Sequence, residues 1–244
     1  DFKQILSYLI MQSICGIIAY LITSKYFKRS IPESIIWALT VALSNHVTLL
    51  LPITEIYFQQ NVITQVATII LMDGVILLSI IAFFLELSTK KNLKLFTFTK
   101  NLILNPFILS IIIGFLFLLF NLNINQTPVD YTLSKLAACV SPVGLFAIGI
   151  ILSFYTKNVI NKLSVSISLL KLIISPIILL LIGLLFFNAG LPAEIPGAFF
   201  VSVAPCGVTS IVLCAAYNVS PENIIKAIFV STIASIGTIF FAIQ

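Results

Sequence analysis

Two apolar stretches of the chain hold residues that a membrane-crossing helix rarely carries near its centre, and these are the first candidates for chemistry. Val201 to Pro221, VSVAPCGVTSIVLCAAYNVSP, places Pro205 and Gly207 near its middle, with Thr209 and Ser210 just after. Ile35 to Gln60, IIWALTVALSNHVTLLLPITEIYFQQ, places Asn45, His46 and Thr48 ahead of Pro52. Proline has no amide hydrogen and crowds the carbonyl four residues back, and glycine adopts backbone angles that other residues avoid, so both stretches are expected to break. Backbone groups freed in hydrocarbon persist only where protein buries them or a watery cavity meets them. Broken helices at corresponding places in two halves of a chain therefore point to a binding site in a transporter. The plainer alternative for each stretch is a kink that serves packing alone.

At a broken span, a half-helix presents unpaired amide groups with partial positive charge, which suits a carboxylate. The expected ligand is a small organic anion held by backbone around Pro52 and Pro205 (with Gly207), with Asn45 as a neutral group able to donate and accept. Thr209 and Ser210 are candidates to line the same place. His46 brings a group able to exchange a proton near neutral pH, which makes proton coupling a candidate feature. The competing reading of His46 is a packed, satisfied core residue. Two further charges stand deep in apolar sequence. Asp73 lies mid-span in TIILMDGVILL, and Lys171 stands five residues before Pro176. A charge at that depth costs from about 3 kcal/mol upward, so both are candidates for coupling, with mutual pairing as one arrangement. The alternatives are a structural partner for Asp73 and a Lys171 side chain that snorkels to the cytoplasmic surface.

The elements that must position these residues follow from composition. Of 244 residues, 60% are hydrophobic and 9% charged, and the mean hydropathy is +1.18, which indicates an all-α integral membrane protein. Apolar runs of about 17 to 25 residues give eight spans, starting near Phe2, Ile35, Val62, Leu102, Leu133, Leu163, Ile195 and Asn223. Ten of the 13 basic residues follow the first, third, fifth and seventh spans: Lys25, Lys28 and Arg29; Lys90, Lys91, Lys94 and Lys100; Lys157 and Lys162; Lys226. All four places lie on one side, which makes that side cytoplasmic and puts both chain ends outside. The net charge of +5 is thus topological, and no nucleic-acid partner is expected.

The polar stretch 89–100 divides the chain into residues 1–88, a first repeat of three helices, and residues 101–244, a second repeat of five. Matching the two broken spans pairs the first span with the sixth and the third with the eighth, in opposite orientations, so the halves read as inverted repeats. On that matching the first repeat lacks two helices ahead of Phe2, and the chain shows eight of an expected ten. Cys15, Cys139, Cys206 and Cys214 have no metal-like spacing and read as small core residues; no metal, cofactor or catalytic residue is expected. An intramembrane aspartyl protease needs two close carboxylates where only Asp73 is central, and a HExxH metalloprotease needs two histidines where the chain has one.

The C-terminal run PCGVTSIVLCAAYNVSPENI resembles the auxin efflux carrier family of PIN-type exporters and malonate-type permeases, through Pro205, Gly207, Tyr217 and Pro221. The same family order continues in Asn45 before Pro52, the Asn105–Pro106 pair with Gly114, Gly144 through Gly149, and Lys171 before Pro176. The chain departs from the family at Leu50, where a glycine is usual, and at His46, where a smaller residue is expected. The resemblance implies two inverted five-helix repeats whose broken helices cross at their centres, a support domain and a mobile transport domain, alternating access, and a homodimer. It implies a permease or efflux carrier in a bacterial inner membrane. The remaining alternatives are a sodium-coupled bile-acid-type symporter, which has a related crossover, and a truncated membrane protein that transports nothing.

Overall fold

A lipid core offers no water to hydrogen-bond the backbone, so a chain this apolar must satisfy its peptide groups within helices. The computed structural model describes residues 2–89, 99, 106–155, 159–187 and 192–243, and it is helical nearly throughout, with no strands among them. Residues 90–98 and 100, which include Lys90, Lys91, Lys94 and Lys100, lie outside the described residues, as do Asn105 and Lys157.

The elements in order are α1 (Phe2–Leu21), α2 (Ile31–Ala42), α3 (Leu51–Tyr57), α4 (Gln60–Met72), α5 (Leu78–Thr89), α6 (Pro106–Leu119), α7 (Pro128–Ser153), α8 (Lys162–Leu169), α9 (Ser175–Phe187), α10 (Pro196–Ser202), α11 (Thr209–Ala216) and α12 (Glu222–Ile243). Single π turns follow α1 (Ile22–Tyr26), precede α3 (His46–Leu50), join α4 to α5 (Asp73–Leu77), and join α8 to α9 (Leu170–Ile174). Five continuous helical stretches are long and apolar enough to cross a membrane: Phe2–Tyr26, Gln60–Thr89, Pro128–Ser153, Lys162–Phe187 and Glu222–Ile243. The pairs α2–α3 and α10–α11 are the two broken spans, and α6 is the described part of the fourth. The protein is an all-α, multi-pass membrane protein.

Helix starts follow local chemistry. Ser30 caps α2 by accepting from the Glu33 amide at 3.3 Å, with Pro32 in the first turn where its missing N–H costs nothing. Thr127 caps α7 in the same way ahead of Pro128, and Asn161 forms a reciprocal capping box with Ser164 at the start of α8.

Between membrane helices close packing counts for more than hydrophobic burial, and small residues permit it. Gly16 of α1 lies against Ala38 and Ala42 of α2; a β-carbon there would sit 3.6 Å from the Ala42 side chain. α1 packs against α2 on one side and α9 on the other, α12 against α8, α10 against α4 and α9, and α11 against α2. Their shared core holds Tyr8, Met11, Trp37, Leu39, Leu170 and Phe200, all fully buried. By contrast, α7 buries no residue completely. Its half-buried positions Ser141, Gly144, Ile148, Ile151 and Leu152 form a single stripe at helical spacing, Asp130 is half-buried in the first turn, and the remaining residues of the helix face outward.

Candidate functional site at the crossing of two broken helices

The first break runs through Leu43, Ser44 and Asn45, where the chain leaves α2 and extends; Leu43 has φ −82° and ψ 127°. The second runs through Val203 to Val208 between α10 and α11. The two extended segments meet antiparallel, Ser44 opposite Cys206. Backbone groups that both helices give up are satisfied across this meeting. The Asn45 amide donates to the Pro205 carbonyl at 2.9 Å, and the Gly207 amide to the Thr40 carbonyl at 3.2 Å. The Cys206 amide donates to Ser231 Oγ of α12 at 3.2 Å. Gly207 is required by proximity: a β-carbon there would lie 2.6 Å from the Leu43 carbonyl oxygen. The crossing of the two broken helices is therefore a feature of the structure.

Pro52 is not in the break. The helix resumes at His46 as a π turn and runs on through α3, with Pro52 in the first turn of α3. Expecting the interruption at the proline itself placed it about seven residues late. The polar run Ser44-Asn45-His46 was the better signal, because extended backbone in lipid needs polar neighbours.

Around the crossing the structure gathers a buried polar cluster. Asp73, fully buried, accepts from Tyr8 Oη at 2.9 Å and Gln12 Nε2 at 2.5 Å, and His46 Nε2 lies 3.0 Å from its Oδ2. Two donors and the ring nitrogen of His46 replace the water that a buried carboxylate forfeits. With its proton on Nε2, His46 donates to Asp73, and Nδ1 is buried without a partner among the described residues. Lys171, 1% exposed, does not snorkel. Its Nζ donates to Ser44 Oγ at 2.7 Å, and Ser44 Oγ donates to the Val201 carbonyl at 2.9 Å, so one ammonium ties the first break to α10. Mutual pairing of Asp73 and Lys171, one of the arrangements open from the sequence, is not formed, since Asp73 is committed to α1 and to His46. His46, Asp73 and Lys171 each stand in a π turn, a local widening of the helix that recurs at functional sites.

Asn45 is 3% exposed. Its Oδ1 accepts from Thr48 Oγ1, while its Nδ2 is buried with no hydrogen-bond partner among the described residues. Ser210 is buried and donates back to the Gly207 carbonyl at 2.8 Å, which occupies its hydroxyl proton; Thr209 is half-buried at the start of α11. Sequence reasoning missed Tyr8, Gln12, Ser44 and Ser141. A tyrosine and a glutamine four apart in an apolar span share one helix face, and that spacing was the available signal for the first two. A cavity of about 560 Å³ opens between α1, α2 and α5 and is lined by apolar side chains except at Gln12, Tyr20 and two serines.

A crossing of two broken membrane helices, with charged and amide groups buried at the crossing, is the architecture of a carrier. The sequence matches the family described as "Membrane transport protein" over residues 1–243. The chain belongs to this membrane transport protein family, that of the auxin efflux carriers. A comparison with curated proteins returned no sequence match. Family membership makes the protein a membrane transporter. In this transporter the crossing holds Asn45, His46, Pro205, Gly207 and Ser210 together, with Asp73 attached through His46 and Lys171 through Ser44. Pro52 is placed a helical turn or more away.

Proposed function

We propose that the protein is a secondary transporter of a small organic anion such as a carboxylate, bound near the membrane midplane at the crossing and moved by alternating access. The observation that carries this reading is the Asn45 amide nitrogen, buried and without a partner among the described residues while its own oxygen is held by Thr48. An unsatisfied buried donor costs about 1 to 3 kcal/mol, and a carboxylate oxygen supplied by the substrate removes that cost. Asp73 and Lys171 serve coupling in this reading, Asp73 through His46 and Lys171 through Ser44, which links the first break to α10. The two halves act as inverted repeats, and a homodimer forms through outward-facing apolar helices such as α6 and α7.

The deciding experiment is thermal stabilisation of purified protein by a panel of carboxylates in sodium-free buffer. Stabilisation by one anion that Asn45→Ala abolishes supports the site; equal stabilisation of the variant overturns it, and a strict need for sodium favours a bile-acid-type symporter.

His46 supports a second element of the reading, proton coupling. Its Nδ1 is the free ring atom of a buried imidazole whose other nitrogen faces Asp73. The groups around it are Tyr8 and Gln12 from α1, Asp73 from the turn between α4 and α5, and Lys171 through Ser44. Proteoliposomes holding a pH dye test this: substrate-driven proton movement that His46→Gln eliminates supports coupling through His46, and proton movement unchanged in that variant removes His46 from it.

A further inference from the structure

Pro52 has a consequence away from the break. In a regular helix the Thr48 carbonyl would accept from the amide of residue 52, and proline has none to give. The carbonyl is met from another helix: Ser141 Oγ of α7 donates to it at 2.5 Å. The fit is close, since a β-carbon on Gly144 would lie 2.8 Å from the Thr48 methyl group. Ser141 and Gly144 belong to the only inward stripe on this part of α7, and that stripe packs on the turn His46–Leu50. Thr48 Oγ1 in turn donates to Asn45 Oδ1, which fixes the rotation of the Asn45 amide and leaves Nδ2 as its free end.

We propose that Ser141 is a positioning residue for the anion site: acting through Thr48, it fixes the Asn45 amide with its N–H groups toward the ligand, so that substrate affinity depends on contact between α7 and the first crossing helix. This rests on the reading of Asn45 as the carboxylate donor. The physical reason is preorganisation. With Thr48 held, Asn45 meets an anion in the orientation it already has; with Thr48 released, the amide can turn its oxygen toward the anion, which repels it. Loss of contact with α7 would then lower affinity and assist release.

The test uses the full chain in detergent and the best stabiliser among malonate, succinate and indole-3-acetate. Ser141→Ala and Thr48→Val are expected to melt within a few degrees of wild type without ligand, yet to bind about tenfold more weakly. Thr48→Ser, which keeps the hydroxyl, is expected to bind like wild type, and Ser141→Ala added to Thr48→Val should weaken binding no further. Unchanged affinity in folded Ser141→Ala, with binding abolished in Asn45→Ala, would overturn this proposal and leave the anion site standing. Unchanged affinity in Asn45→Ala, or no stabilisation by any of the three anions, overturns both. Should Thr48→Val fail to fold, Gly144→Ala, which presses on the Thr48 methyl, replaces it with the same expected loss.

Discussion

Asp73 and Lys171 behave differently because their surroundings do. Asp73 has Tyr8, Gln12 and His46 as partners, so Asp73→Ala leaves several buried polar groups without an acceptor and should destabilise the protein by about 3 kcal/mol, measured by unfolding in detergent. Asp73→Asn keeps an oxygen acceptor and should fold while losing transport. Lys171 is bonded to one hydroxyl; replacing a buried charge by an apolar side chain of similar length is often neutral or stabilising. Lys171→Met is therefore expected to melt no lower than wild type and to transport poorly. Full uptake by that variant would show that the ammonium is not needed for function. Both residues were visible in the sequence as charges out of place in apolar spans, but their partners were not. Tyr8 and Asp73 are 65 positions apart, and Lys171 and Ser44 are 127 apart. Nothing in the local sequence distinguishes these contacts from the direct ion pair that charge alone suggested.

Helices and breaks are governed by shorter-range rules, and much of this scale was legible in sequence. Pro205 and Gly207 lie in the second break as expected, and the polar run at Ser44 to His46 marks the first. The four π turns had no sequence signature, because one extra residue in a turn is accommodated by packing rather than by residue preference. Gly207 and Gly114 give a paired test. A side chain at Gly207 meets the Leu43 backbone, whereas a β-carbon at Gly114 has nothing within 4 Å. Gly207→Val should cost about 2 to 4 kcal/mol or prevent folding, and Gly114→Ala should change the melting temperature little, as followed by thermal denaturation. A Gly207 variant with wild-type stability and transport would mean that the two breaks do not approach as closely as described.

Over the whole molecule the distribution of lysine and arginine makes a prediction about the membrane. In a cysteine-free background, a single cysteine placed in 121–126 should react with an impermeant thiol reagent added outside intact cells, while one placed at Lys28 should react only after permeabilisation. The reverse pattern would invert the expected topology. Hydropathy and the bilayer's thickness together set which segments are helices, and a transfer preference is a property of each segment alone; the sequence by itself therefore decided the class of protein and the two spans that break. The tertiary structure decided that the breaks cross, that the first one falls at Ser44 and Asn45 rather than at Pro52, that Asp73 faces α1, and that α7 reaches Thr48. Those outcomes depend on which helices pack side by side, and a buried polar group takes whichever partner that packing brings within hydrogen-bonding distance.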